Sequence, residues 1–219
     1  MDAALRFLRK LKKNNTRPWF DAHRDEYAEA KQEVEAFVNG LIAAYRKKDP
    51  AIGGLTAKDC MFRINRDIRF SKDKSPYKLN FGVSINSGGK KSTLAGYYLH
   101  IEPGESFVGG GIWMPMPPDL SKIRQEIDYH PDEFTTLIKA PAFKKQYSLL
   151  YRDKEVSLQR VPKGYEADHP LAEYIKLKSF LAMRKLTDEE VNSASLQKIC
   201  IAAFTALKPL NEFINKAVS

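Results

Sequence analysis

The spacing of apolar residues changes period near residue 60, and that change restricts the fold more than any other feature of the chain. Upstream, Trp19, His23, Tyr27, Ala30, Val34, Phe37, Val38, Leu41 and Tyr45 recur at steps of three and four, as on one face of a helix. From about residue 61 to 114 the step is two, as in strands with one covered face. A helical stretch followed by a run of strands implies an α+β fold. The expected architecture is an antiparallel sheet built on a central meander, about residues 61–114, with amphipathic helices from both termini packed on its apolar face.

Four strand segments can be read in the meander. In the first, Phe62, Ile64, Ile68 and Phe70 share one face and Arg63, Asn65, Asp67 and Arg69 the other, with Arg66 as the exception. In the second, Leu79, Phe81, Val83 and Ile85 alternate with Asn80, Gly82, Ser84 and Asn86; a loop fixed by Pro76 precedes it. The third runs from about Thr93 to Glu102 and the fourth from Ser106 to Met114. Pro103 and Gly104 suit the centre of a tight turn between the last two. That turn sets a register in which His100 faces Phe107, Tyr98 faces Gly109 and Gly96 faces Gly111, unless the glycines form a bulge.

Outside the sheet, Leu5, Leu8 and Leu11 mark a short helix, and Thr16 caps a long one with Pro18 in its first turn that runs to AspPro at 49 and 50. Leu120, Ile123, Arg124 and Ile127 mark another helix, ended by HisPro at 130 and 131. Residues 141–168 read as irregular, with a hairpin around Tyr151 to Leu158. Leu196 to Ile214 gives a C-terminal amphipathic helix, interrupted at Pro209. At 219 residues, a single domain over 1–219 is expected. Its parts are a helical N-terminal part (1–50), the sheet (60–115), a mixed helix and loop part (119–192) and the C-terminal helix (193–217). No run approaches the roughly 18 apolar residues of a membrane span. No basic-then-apolar leader follows Met1, and the two cysteines, Cys60 and Cys200, stand in apolar contexts. The reading is a cytoplasmic protein with reduced thiols and no membrane partner.

Charge points to the site. The chain carries 36 Lys and Arg against 27 Asp and Glu, a net +9. From Lys58 to Lys78 seven basic residues face three acidic ones, so an anionic partner is expected. Guanidinium forks suit carboxylate and phosphate oxygens. The candidate ligand-binding residues are Arg63, Asn65, Arg69, Lys72, Lys74, Lys78 and Tyr98. His100 and Glu102, on the same face as Tyr98, are the candidate catalytic pair for hydrolase or transferase chemistry. Two other readings stand beside this one. The basic block could track a nucleic-acid backbone while Tyr98, Phe107 or Trp113 stacks a base. Alternatively, Asp67 and Glu102 neutralise the arginines in a structural network without a ligand.

Other motifs are excluded. SerLysAspLysSer contains no glycine and leads into no helix, so it is not a nucleotide loop of the Walker type. His100, Glu102, Asp168 and His169 match no metal-ligand spacing, so no metal is assigned, and no cofactor is indicated. The segments FLRKLKKNNTRPWFDAHRDEY, RINRDIRFSKDKSPYKLNFG, GYYLHIEPGESFVGGGIWMP and PKGYEADHP together resemble the conserved proteins of domain of unknown function 2461. The resemblance covers most of the chain and carries over no catalytic role. It implies that the Arg63 to Lys78 block, His100 and Glu102, the glycine row and Lys163 to His169 belong to the family pattern.

Overall fold

A computed structural model describes every residue from Met1 to Ser219. The leucine stripe forms α1 (Asp2–Lys13), burying Leu5, Leu8 and Leu11, with Asp2 in its first turn and Lys10, Lys12 and Lys13 in its last, as the helix dipole favours. Thr16 caps α2 (Arg17–Ala22) by accepting the Trp19 N–H, and Pro18 lies in the first turn as expected. The long helix expected to follow Thr16 is two helices, because the chain leaves helical geometry at His23 before α3 (Arg24–Tyr45) begins. The His23 ring donates from Nδ1 to the Trp19 carbonyl at 2.7 Å, while the His23 amide bonds Phe20 instead. A side chain has taken the carbonyl that a continuous helix would give to the backbone. A short helix α4 (Ala57–Cys60) follows, closed by a reciprocal Thr56 and Asp59 capping box.

The sheet has four strands, β1 (Phe81–Ile85), β2 (Gly96–Ile101), β3 (Phe107–Ile112) and β4 (Phe180–Lys185), in the order β1-β2-β3-β4. It is an antiparallel meander, and helices from both termini pack against it. Between β3 and β4 run α5 (Pro117–Tyr129), α6 (Pro131–Lys139), α7 (Pro141–Tyr147) and α8 (Ala172–Ile175). After β4 come α9 (Asp188–Asn192) and α10 (Leu196–Val218).

The expected first strand is not one. Residues 61–66 run beside 76–83 through isolated bridges only, Met61 with Val83 and Asn65 with Tyr77. Pro76 has no N–H to extend the ladder, and the residues beyond Arg66 turn on their own ion pairs instead. The fourth strand of the sheet is β4, which the sequence hides because Phe180, Leu181, Ala182 and Met183 are apolar on both faces. Residues 151–158 form no hairpin: the Tyr151 N–H donates to Leu181, and Ser157 pairs with Leu177. Residues 141–147, expected to be irregular, form α7, and α10 continues through Pro209 without interruption.

The turn between β2 and β3 does form as expected, with the Glu105 N–H on the Glu102 carbonyl at 3.0 Å and Gly104 at φ +79. Its register brings the His100 and Phe107 rings together, stacked at 4.8 Å. The glycine row is a place of close backbone approach. A Cβ on Gly109 would lie 1.9 Å from the Ala182 carbonyl oxygen, and one on Gly111 equally close to that of Phe180.

Two compact units can be distinguished. The first holds Met1–Ser92, Tyr98–Val108 and Lys185–Ile201. Its core is an aromatic cluster in which Phe20 stacks on Tyr77 at 4.0 Å and Tyr27 lies parallel to Phe81. The second holds Thr93–Tyr97, Gly109–Arg184 and Ala202–Ser219. There Tyr97 stacks on Phe204 at 4.6 Å, the Asn211 side chain caps the Gly96 carbonyl, and the Tyr147 hydroxyl donates to Ala203. No helix is long and apolar enough to cross a membrane.

Candidate functional site

All the sequence-predicted site residues lie in the first unit. Asn15, just past α1, sets the position of the key lysine. Its side-chain amide donates to the Tyr77 carbonyl at 3.0 Å and accepts the Tyr77 N–H at 3.2 Å, and Phe20 stacks on the Tyr77 ring. The next residue, Lys78, donates its N–H to the Ile64 carbonyl at 2.8 Å. With its backbone held on both sides, Lys78 places its ammonium 5.4 Å from the centre of the half-exposed Phe62 ring. Burial pushes the Lys78 pKa down, and the charge of nearby Arg63 lowers it further. Neither Lys78 nor Arg63 has an ion-pair partner.

Gly82 on β1 makes room beside them. A Cβ there would meet the Tyr98 hydroxyl oxygen at 2.5 Å and the Phe62 ring at 3.5 Å, so the phenol end lies over the strand backbone in space that a side chain at this position would contest. Burial raises the Tyr98 pKa above the ordinary phenol value. The row continues along β2. The Tyr98 and His100 rings are 6.2 Å apart, and Phe107 packs against both. His100 Nε2 donates to the Glu102 carboxylate at 2.9 Å, which leaves Nδ1 as the acceptor. Glu102 is itself held by buried Ser106, whose hydroxyl donates to the Glu102 carbonyl and accepts its N–H.

The other predicted ligands are disposed differently. Arg69 does not converge with Arg63: it grips Asp67 through Nε and Nη2 at 2.9 and 2.6 Å, and this pair holds the Asp67 carboxyl below its usual range. Arg66 pairs with Asp73, and that carboxyl is held far down by Ser75 first and by Arg66 as well. Lys74 donates to the Ile68 carbonyl at 3.0 Å, while Asn65 and Lys72 are exposed. Every carboxylate in the loop is therefore already committed to another partner. No group of three His, Cys, Asp or Glu side chains could hold a metal ion.

The model of a family of conserved hypothetical proteins, DUF2461, matches residues 3–213. The chain belongs to this family. No curated protein and no solved structure matches it. Two phenylalanines of this DUF2461 chain depart from the apolar face that the alternation predicts. Phe62 is the platform under Lys78. Phe70 is 95% exposed beside the Arg69 guanidinium. The signal for both was Arg66, which breaks the alternation and so argues against a strand with a buried face.

Proposed function

We propose that the chain binds a phosphate- or carboxylate-bearing small molecule at Arg63 and Lys78, with the Tyr98 hydroxyl as a further donor. One observation carries this reading: two neighbouring cations, one of them partly desolvated, have no counter-ion, and the acids around them are occupied by Arg69, Arg66 and His100. A structural network needs no such surplus, whereas an anion would relieve it. Lys72 and Lys74 flank the site as steering charges, and Asn65 adds a polar side chain. Arg69, bound to Asp67, contributes to the field more than to contacts. His100, oriented by Glu102 and stacked on Phe107, presents Nδ1 as a base for hydrolysis or group transfer.

The test is thermal melting of the full chain with inorganic phosphate, nucleotides and small carboxylates. A true ligand at about 100 times its dissociation constant stabilises by about 2.7 kcal/mol, a shift of several degrees. Arg63→Gln and Lys78→Met should each abolish the shift, and Arg69→Ala should keep it. A shift that survives both substitutions rejects the reading.

The exposure of Phe70 beside Arg69 favours a second reading, in which the loop stacks a base of single-stranded nucleic acid. That reading predicts oligonucleotide binding that weakens steeply with salt and is lost in Phe70→Ala. Affinity indifferent to salt excludes it.

A further inference from the structure

Lys78 stands at one end of a row of aromatic rings that anion binding alone does not require. The row begins at Phe62, which is 38% exposed and holds the Lys78 ammonium 5.4 Å from its ring centre. It crosses β1 at Gly82. A Cβ there would lie 3.5 Å from a Phe62 ring carbon and 2.5 Å from the Tyr98 hydroxyl oxygen, so the two side chains adjoin at this point of the strand. From Tyr98 the row passes to Phe107 on β3, with ring centres 5.7 Å apart, and ends at His100, stacked on Phe107 at 4.8 Å. Tyr98 and His100 alternate with buried Tyr97, Leu99 and Ile101, and Phe107 stands between buried Ser106 and Val108. The row therefore lies on the face of the sheet turned away from the core, and its rings are partly exposed.

The two ends of the row differ in charge. At the Phe62 end the ammonium of Lys78 is held over an aromatic ring instead of a carboxylate. At the other end the Glu102 carboxylate accepts from His100 Nε2 at 2.9 Å. A molecule lying along the row would keep its negative charge at Lys78 and away from Glu102. A single exposed ring needs no explanation, because much of any folded surface is apolar. Here Phe62, Tyr98 and Phe107 come from three separate segments and form one continuous strip ending in a cation. Such a strip offers contact area to a planar group, and the cation fixes which way that group lies.

We propose that the ligand is an aromatic oxyanion, a planar ring bearing a phosphate or carboxylate, with its charge at Lys78 and its ring on the row that starts at Phe62. This rests on the reading of Arg63 and Lys78 as an anion site and adds the class of molecule held there. The test uses matched pairs of anions in which phenyl replaces methyl: phenyl phosphate against methyl phosphate, and benzoate against acetate. Each is titrated against the melting midpoint of the full chain, which yields an apparent affinity. In one pair the aromatic member should bind about tenfold more tightly, and that pair assigns the group as phosphate or carboxylate. Phe62→Leu should bring the two affinities of that pair together. The substitution removes the ring beside Lys78 for both members alike, so their ratio reports contact with the ring and not the state of the ammonium. Equal affinities within each pair, or a preference that survives Phe62→Leu, overturn the proposal and leave the anion site standing. If no member of either pair shifts the midpoint, the anion site itself fails and this proposal fails with it.

Discussion

Asp67 decides which arginine of the basic block is available. By taking Arg69 in a two-bond grip it removes that residue from the convergence that strand spacing suggested, and leaves Arg63 beside Lys78. The types and positions of the candidate residues were legible in the sequence. Which cation pairs with which acid was not, because side-chain pairing two residues apart depends on a backbone turn that the alternation concealed. Since the Arg69 pair is exposed, Arg69→Ala should leave the melting midpoint within the scatter of ordinary surface substitutions. Cys60 is a free, buried thiol, in keeping with its apolar sequence context. Burial pushes it up to about 11 from 9.0. Its neutral form therefore stabilises the fold below about pH 9, and that contribution is lost as the pH rises toward about 11. At pH 8 a thiol reagent should modify Cys60 slowly in the native protein and rapidly in urea. Fast native labelling would contradict this burial.

Element by element, the sequence was most informative where a turn or cap has one chemical solution. ProGly between β2 and β3 set the register that stacks His100 on Phe107, and Thr16 capped α2 as its hydroxyl predicts. It was least informative where the covered face was not the only apolar one. The helix-forming, doubly apolar run of β4 shows no alternation, although Phe180 and Ala182 are its buried pair. The glycine row records its contact with β4, since Gly109 approaches the Ala182 carbonyl too closely for any Cβ. Gly109→Ala should therefore cost more than about 2 kcal/mol in urea unfolding, because backbone and not a mobile side chain must move. Gly104→Ala, in open space at φ +79, should cost only about 1 kcal/mol for its left-handed backbone. Equal costs would show that β3 can shift away from β4.

At the scale of the molecule, the helices of the two termini and the central sheet were legible from the change of hydrophobic period. The single domain expected over 1–219 stands as a proposal. In its support, β2, β3, β4 and α10 each contribute residues to both compact units, so neither unit holds a complete sheet. Trp19 belongs to the first unit and Trp113 to the second. Single-tryptophan variants should therefore report the same urea midpoint, and two separated transitions would contradict one cooperative domain. The net charge of +9 raises a different problem, because it attracts anions everywhere and bulk binding cannot by itself identify a site. The ammonium of Lys78 can. Followed by NMR through its ε-methylene in chloride, it should titrate below the usual lysine value, and inorganic phosphate at matched ionic strength should move that midpoint upward in the wild type but not in Arg63→Gln. A Lys78 midpoint that phosphate leaves unmoved would contradict an anion site at Arg63 and Lys78.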